Sequence, residues 1–496
     1  MASIFIIGIT LLFLDFTGTL HHWLGWMAKI QFLPAVFAAN LVVFTMLVAL
    51  TLVFGRVYCS VICPLGVMQD VISWISGKRK KKSHRFSYSP AISWLRYSVL
   101  ALFIAAIIFG IGGFVALLAP YSAYGRIASN LFAPVYDWGN NLFALIAESV
   151  DSYAFYEKEV WIRSISVFVT AAVTFIILFI LAWRNGRTYC NTICPVGTLL
   201  SFLSRFSLFR PVIDVSKCVN CGLCARKCKA SCIDSKNHVI DYSRCVTCFD
   251  CIESCSQGAL SYKLWKNRTQ SAKKSEKQEV AKTQGPLDAS RRNFLTASGL
   301  AIGSAIAIAK EDNIDGGLAM ILDKEAPARK CPIVPPGAIG LRNMATHCTA
   351  CQLCVSACPN GVLRPSTKPE TFMQPVSSYE RGYCRPECTE CSQVCPTGAI
   401  RPITAAEKTS IQVGHAVWIR ENCIPATDGI SCGNCARHCP TGAIQMIPID
   451  SNNPDSVKIP AVDTARCIGC GACENLCPAR PFSAIYVEGN VMHHIV

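Results

Sequence analysis

The chain of 496 residues contains thirty cysteines, and most of them fall into quartets. Cys218, Cys221, Cys224 and Cys228 form one; Cys245, Cys248, Cys251 and Cys255 form another; both read C-x2-C-x2-C-x3-C. Four more follow: Cys348/Cys351/Cys354/Cys358, Cys384/Cys388/Cys391/Cys395, Cys423/Cys432/Cys435/Cys439 and Cys467/Cys470/Cys473/Cys477. Three thiols two residues apart wrap one corner set of a four-iron cubane, and a fourth, three residues on, points to the neighbouring cluster. Cys255 should therefore complete Cys218, Cys221 and Cys224, and Cys228 should complete Cys245, Cys248 and Cys251. A zinc ribbon needs only C-x2-C pairs; third and fourth cysteines in register exceed that. Six [4Fe-4S] clusters are expected. In the last four quartets sequence neighbours should pair, with a first-with-fourth and second-with-third arrangement as the alternative. The Cys384 and Cys423 quartets carry insertions before their last three cysteines. Pro359, Pro396, Pro440 and Pro478 each follow a fourth cysteine, whereas the 218–255 module has Lys229 and Ser256 there.

Two further pairs, Cys59/Cys63 and Cys190/Cys194, read C-x3-C-P. They belong to an internal repeat, Gly55–Gly66 against Gly186–Gly197, at a constant offset of 131 residues. A pseudo-twofold would bring these four thiols together. They could then hold a metal or cluster, shuttle as dithiols, or end helices with Cys-Pro. Arg56 and Arg187 would neutralise a negative site or meet lipid phosphates. Cys232 and Cys331 are left over.

The elements that must position these residues lie partly in lipid. Hydrophobic residues make up 51% of the chain and charged residues 16%, against roughly a quarter charged in soluble domains. Apolar runs of membrane-spanning length occupy 2–20, 33–54, 92–118 and 165–183. Lys and Arg gather in 55–90 and are sparse in 21–32 and 120–160, which puts the N-terminus and the 55–90 loop in the cytoplasm. Asp15 lies within the first run, about five residues from its outer end. It caps a break at Thr17-Gly18 or snorkels to water; alternatively it accepts a proton from quinol, with Lys29 and Gln31 orienting the head group. The four long runs hold no histidine for haem, and no C-x-x-C-H exists, so haem is not expected; His21 and His22 read as solvated loop residues. Residues 263–289 form a basic linker. Arg291 and Arg292 then precede a short Ala/Gly-rich run, 290–309, which reads as a twin-arginine export signal or a fifth anchor. A domain loaded with clusters in the cytoplasm must cross the membrane folded. The expected architecture is an α-helical membrane domain (1–205), a cytoplasmic two-cluster ferredoxin module of α+β type (206–262), and a four-cluster ferredoxin domain (330–496) outside.

The formal charge is +15. An oxidised four-iron cluster on four thiolates carries roughly −2, so six clusters offset most of it and nucleic acid is not an expected partner. Residues 1–260 resemble the NapH-type membrane ferredoxins, on their spans, both C-x3-C-P motifs and the two-cluster module. Residues 290–480 resemble the exported NapG/MauM-type ferredoxins, on the twin arginine and four quartets. That resemblance implies a fusion that oxidises quinol at the cytoplasmic (inner) membrane and delivers electrons to an extracytoplasmic redox partner. The alternatives are a conduit from a cytoplasmic donor, or a maturation or regulatory factor for a partner metalloenzyme. No Gly-rich dinucleotide motif, nucleophile triad or molybdenum domain is visible, so terminal catalysis is not expected here.

Overall fold

The computed structural model describes residues 1–15, 18–79, 86–152, 155–264 and 322–496. Arg291, Arg292, the short run after them and nearly all of the basic linker lie outside the described residues.

The N-terminal region is a helical bundle, and its helices depart from the four expected spans. Among the described residues, one apolar helix is long enough to cross a bilayer: Ile165–Asn185, 21 residues or about 32 Å at 1.5 Å per residue. The other three runs are broken. The first helix is Ala2–Leu14 and stops at Asp15, whose backbone turns extended; Gly18 follows at φ +77. The second run is split by Ala39 at φ +51, after which Asn40 accepts from Val43 N–H to start Leu41–Phe54. The third breaks at Gly110, φ +71, between Ser93–Ile108 and Gly112–Leu118. Hydropathy counts apolar residues and is blind to these left-handed turns.

The two repeat copies are built alike. Each apolar helix ends at a positive-φ glycine, Gly55 (+76) or Gly186 (+68). A single turn carries the first cysteine, Tyr58–Ile62 or Thr188–Thr192, and the Cys-Pro starts the next helix, Pro64–Arg79 or Pro195–Ser204. Proline is pre-organised at that first helical position.

The cysteine-rich regions are α+β modules. Around the first two quartets, Phe209–Ile213 pairs antiparallel with Leu260–Leu264, Phe209 opposite Leu264. A short hairpin, Ile233–Asp234 with Val239–Ile240, and two one-turn helices, Leu223–Lys227 and Asp250–Glu253, fill the interior. The last two quartets repeat the plan: Ile411–Trp418 pairs with Ile485–Ile495, and Ile444–Pro448 with Lys458–Val462. The Cys348 and Cys384 quartets flank a smaller pair, Leu363–Pro365 with Pro375–Ser377. A Gly340–Met492 bridge ties that part to the final strand.

Each module docks at a different end of the long helix. At its C-terminal end, Arg187 N–H donates to Lys229 O (2.9 Å). Beside it, Tyr262 Oη and Thr247 Oγ1 donate to Phe54 O (2.9 and 3.3 Å). At its N-terminal end, Arg364 and Arg381 stack on Trp161 (4.8 and 4.7 Å) and Arg381 pairs with Glu159. Ser93–Leu118 joins the same two regions in the opposite direction. Arg96 reaches Ser243 of the first module, and Gly112 and Gly113 lie against Gln374 and Phe372 of the second.

Candidate functional site

The quartets assemble into thiol-lined cavities, each drawing three cysteines from one loop and one from another. Cys218, Cys221, Cys224 and Cys255 line the first. Cys228 joins Cys245, Cys248 and Cys251 in the second. In the C-terminal domain Cys358 meets Cys384, Cys388 and Cys391; Cys439 meets Cys467, Cys470 and Cys473; Cys477 meets Cys423, Cys432 and Cys435. Cys395 is an electrostatic neighbour of Cys348, Cys351 and Cys354. Each partner fourth cysteine therefore comes from the sequence neighbour. Among the described residues no three His, Cys, Asp or Glu groups converge on a single ion. Three thiols from one loop and one from another are the donor set of a four-iron cubane.

A repeated backbone device shapes the loops. In four quartets, two residues around the second cysteine take positive φ: Asn220/Gly222, Thr247/Phe249, Ala350/Gln352 and Gly469/Gly471. The alternation curls the chain around its cavity. Glycine does this freely, and other residues need compensation. Phe249 packs edge-on against Tyr262 (5.1 Å between centroids), and Gln352 accepts from Asn130 Nδ2 (2.8 Å). Gly471 has no substitute, because a Cβ there would lie 2.2 Å from the Tyr379 ring. Backbone N–H groups of Ala350, Ile400 and Ala484 donate to Cys348, Cys395 and Cys477 at 3.3–3.4 Å, contacts of the kind that tune cluster potentials. Burial pushes the Cys351 and Cys470 thiols up to about 12, against donated backbone hydrogen bonds. Such thiols stay protonated until a bound cation makes thiolates worthwhile.

Sequence spacing missed two members of the first module. Cys232 lies in the second cavity with its Sγ 3.5 Å from that of Cys228. Lys229, where ferredoxin loops usually have proline, pairs with Asp250 (2.9 Å) and Asp70 (3.6 Å). Burial opposes its charge, but the two carboxylates raise it above the ordinary ammonium range. Its carbonyl also receives Arg187 N–H, so the residue locks the module onto the bundle.

The C-x3-C-P thiols form a seventh group. Cys59, Cys63, Cys190 and Cys194 are all buried, and each lies within electrostatic reach of the others. The repeat copies exchange arginines. Arg56 donates to Cys190 O (3.2 Å) and approaches Cys59 Sγ (3.8 Å); Arg187 donates to Cys59 O (2.5 Å). Neither meets lipid, since both are fully buried. Asp70 holds Arg187 through two bonds, 2.8 and 2.6 Å. Gln69 Nε2 approaches Cys190 Sγ at 3.4 Å.

Asp15 is buried and accepts from Gly18 N–H (3.1 Å) and Leu20 N–H (2.8 Å), so it caps the break after the first helix. It also lies 3.4 Å from His21 Nδ1. His21, expected to be solvated, has a largely enclosed side chain whose Nε2 has no partner among the described residues. Burial holds its imidazole below the ordinary range, and the Asp15 hydrogen bond only partly restores it. Glu390, next to Cys391, is a charged neighbour of this pair. Gln31 is not at an outer loop surface. It is buried and bonds Ile62 O and Tyr58 Oη near the C-x3-C-P thiols (3.3 and 3.1 Å). Lys29 is exposed.

Family comparisons agree with these groupings. A 4Fe-4S binding domain model matches 36–83 and 167–213, the two C-x3-C-P copies. Two 4Fe-4S dicluster domain models match 347–400 and 430–480. The methylamine utilization ferredoxin-type protein MauM of Methylobacillus flagellatus is 32% identical over 165 residues, 32% of this chain and 70% of MauM. The chain belongs to the MauM ferredoxin-type family. YccM of Escherichia coli strain K12, whose name provisionally assigns electron transport, is 24% identical over 40% of this chain and 47% of its own length. The uncharacterised MJ0749 of Methanocaldococcus jannaschii is 41% identical over 13% of this chain and 26% of its own length. The chain thus spans about half the length of YccM and a quarter of MJ0749. No solved structure matches. These matches make the protein an iron–sulfur protein of ferredoxin type.

Proposed function

We propose that this is a membrane-bound electron-transfer protein that oxidises quinol and passes electrons through six [4Fe-4S] clusters to a redox partner outside the cytoplasmic membrane. The observation that carries the reading is the placement of the two cysteine-rich regions at opposite ends of Ile165–Asn185. That helix matches the bilayer core in length, and only 22% of its apolar window is buried. A core helix of a soluble protein would be mostly covered. Leu41, Val42, Trp94, Ile108 and Phe109 add more exposed apolar surface, which lipid would cover. The shorter helices, at about 20–24 Å, are read as membrane-embedded around the long one.

The five thiol-lined cavities and the Cys348/Cys351/Cys354/Cys395 group supply the cluster sites, and bound clusters would provide one-electron redox couples. The chain's own residues set their surroundings: backbone N–H groups face the sulfurs, and the αL pairs close the loops. Quinol releases two electrons and two protons, and the buried Asp15–His21 pair is the proton-accepting candidate nearest the C-terminal domain. The test is anaerobic reduction of the purified full chain by a quinol analogue. Bleaching of the iron–sulfur absorbance within seconds is expected; no bleaching, with dithionite still effective, would remove quinol as the donor. Entry from a cytoplasmic donor is the second reading, favoured by the exposure of Cys221 at the first cavity. A reduced soluble ferredoxin in place of the quinol analogue tests it.

A further inference from the structure

We infer that Cys59, Cys63, Cys190 and Cys194 together hold a seventh four-iron cluster, and that this centre relays electrons between the two ferredoxin regions. The relay role rests on the electron-transfer reading above; the cluster itself does not.

The argument begins with charge. Arg56 and Arg126 are both fully buried. Arg56 meets only neutral groups besides Cys59: Asn191 Oδ1 (2.8 Å), Ser243 O (3.2 Å) and Cys190 O. Arg126 meets Ala116 O (2.6 Å) and Leu117 O (3.4 Å). The Nε of each has no hydrogen-bond partner among the described residues. Among the described residues no carboxylate pairs with either, whereas Arg187 has Asp70. An unpaired buried cation is expensive, so two of them require an anion close by. An oxidised four-iron cluster on four thiolates carries about −2, which balances them. The flanking cluster sites already set an anion on one side of each arginine, Arg56 beside Cys245 and Arg126 beside Cys351; a cluster on the four thiols sets a further anion on the side between them, which neutral dithiols or disulfides would not. A single ion on four thiolates has the same charge when the ion is divalent, but these thiols, like the six quartets, do not converge on one ion.

Position supplies the second argument. On one side, Asn191 donates to Ala230 O and Arg56 to Ser243 O, backbone groups of the loops carrying Cys228, Cys232 and Cys245. On the other, Tyr189 lies among Cys190, Cys194, Cys63 and Arg126, and Arg126 is in turn a neighbour of Cys351. Gly125 is pressed so closely to the Cys351 loop that an added Cβ would sit 2.3 Å from Cys351 O. The four thiols therefore stand between the second cavity and the Cys348/Cys351/Cys354/Cys395 group. The step is one electron in from one neighbour and one out to the other, with no bond made or proton moved. Arg126 is a positioning residue for this exchange, a fixed positive charge between two anionic centres.

The test uses the full chain purified anaerobically. Unmodified protein should contain about 28 irons and the Cys59→Ser/Cys190→Ser variant about 24. A wild-type value near 24, or one zinc per chain lost with the two thiols, would overturn the inference. Should that variant fold poorly, Arg126→Gln keeps all ligands. It should shift one or two iron–sulfur components to more negative potential in an EPR-monitored titration while the iron count stays constant. Potentials identical to wild type would overturn the placement of Arg126. In proteoliposomes, an impermeant reductant added on one side should reduce clusters on both sides of the unmodified protein, and only those on its own side of the double variant. Full reduction in both would leave the cluster standing and remove the relay.

Discussion

Gly66 and Gly197 hold equivalent places in the repeat, and each sits against the carbonyl of the first cysteine of its own copy. A Cβ on Gly66 would lie 2.3 Å from Cys59 O, and one on Gly197 2.3 Å from Cys190 O. The obstacle is backbone, which cannot swing aside as a side-chain end can. Gly66→Ala or Gly197→Ala should therefore destabilise the thiol loop by about 1–3 kcal/mol. The expected readout is a lower iron content and a lower thermal midpoint, whereas Gly139→Ala, with nothing near it, should leave both unchanged. Asp15 supports a second prediction. Asn at this position keeps one acceptor for the cap but loses the charge beside His21. Asp15→Asn should leave iron content intact and slow quinol-dependent reduction ~10-fold or more, within the range of a lost proton acceptor, while dithionite reduction is unaffected. His21→Gln should behave the same way. Wild-type quinol rates in both variants would move the proton-accepting site elsewhere.

At the scale of elements, the C-terminal strand Ile485–Ile495 joins the two halves of the four-quartet domain, and His493 lies on it. Its N–H donates to Ile339 O (2.8 Å), and both ring nitrogens lack hydrogen-bond partners among the described residues. Burial, with His494 beside it, lowers its pKa to about 4. The folded form therefore refuses a proton that the unfolded chain accepts near pH 6.5. Stability from this group is complete above about 6.5 and declines as pH falls toward about 4. The protection factors of the Met492 and His493 amides, corrected for the intrinsic exchange rate at each pH, should fall between pH 6.5 and 5, and His493→Phe should flatten that dependence. Much of the module plan was legible beforehand because cysteine spacing is a local code: three thiols close a loop, and the fourth must go next door. The helix breaks were less legible, since hydropathy averages over Gly18, Ala39 and Gly110. Lys229, Arg126 and His21 were illegible, because Asp70 and Cys351, which Lys229 and Arg126 meet, lie far away in the chain, and the pairing of His21 depends on how a break folds. Asp15 was half visible: its capping role followed from the adjacent glycine, but its pairing with His21 needed the turn itself.

For the whole molecule, the decisive property is sidedness. One cysteine-rich region meets the C-terminal end of Ile165–Asn185 through Lys229, and the other meets the N-terminal end through Trp161. If lipid surrounds that helix, the regions face opposite compartments, and the basic 55–90 segment places the first in the cytoplasm. The second must then have crossed the membrane with its clusters already inserted, since iron and sulfide are supplied inside. Arg291 and Arg292 are the residues an export receptor would read. In spheroplasts, a protease added outside should cleave within 348–477 and spare 218–255. Changing both arginines to lysine keeps the charge, and with it the simple positive-inside bias, but removes the paired guanidinium signal. That variant should keep the four-quartet region protected from protease, with unchanged iron in the 218–255 module and loss of electron delivery to any external acceptor. Protection of residues 348–477 in the unmodified protein would place both regions on one side, and the trans-membrane route would fail with it.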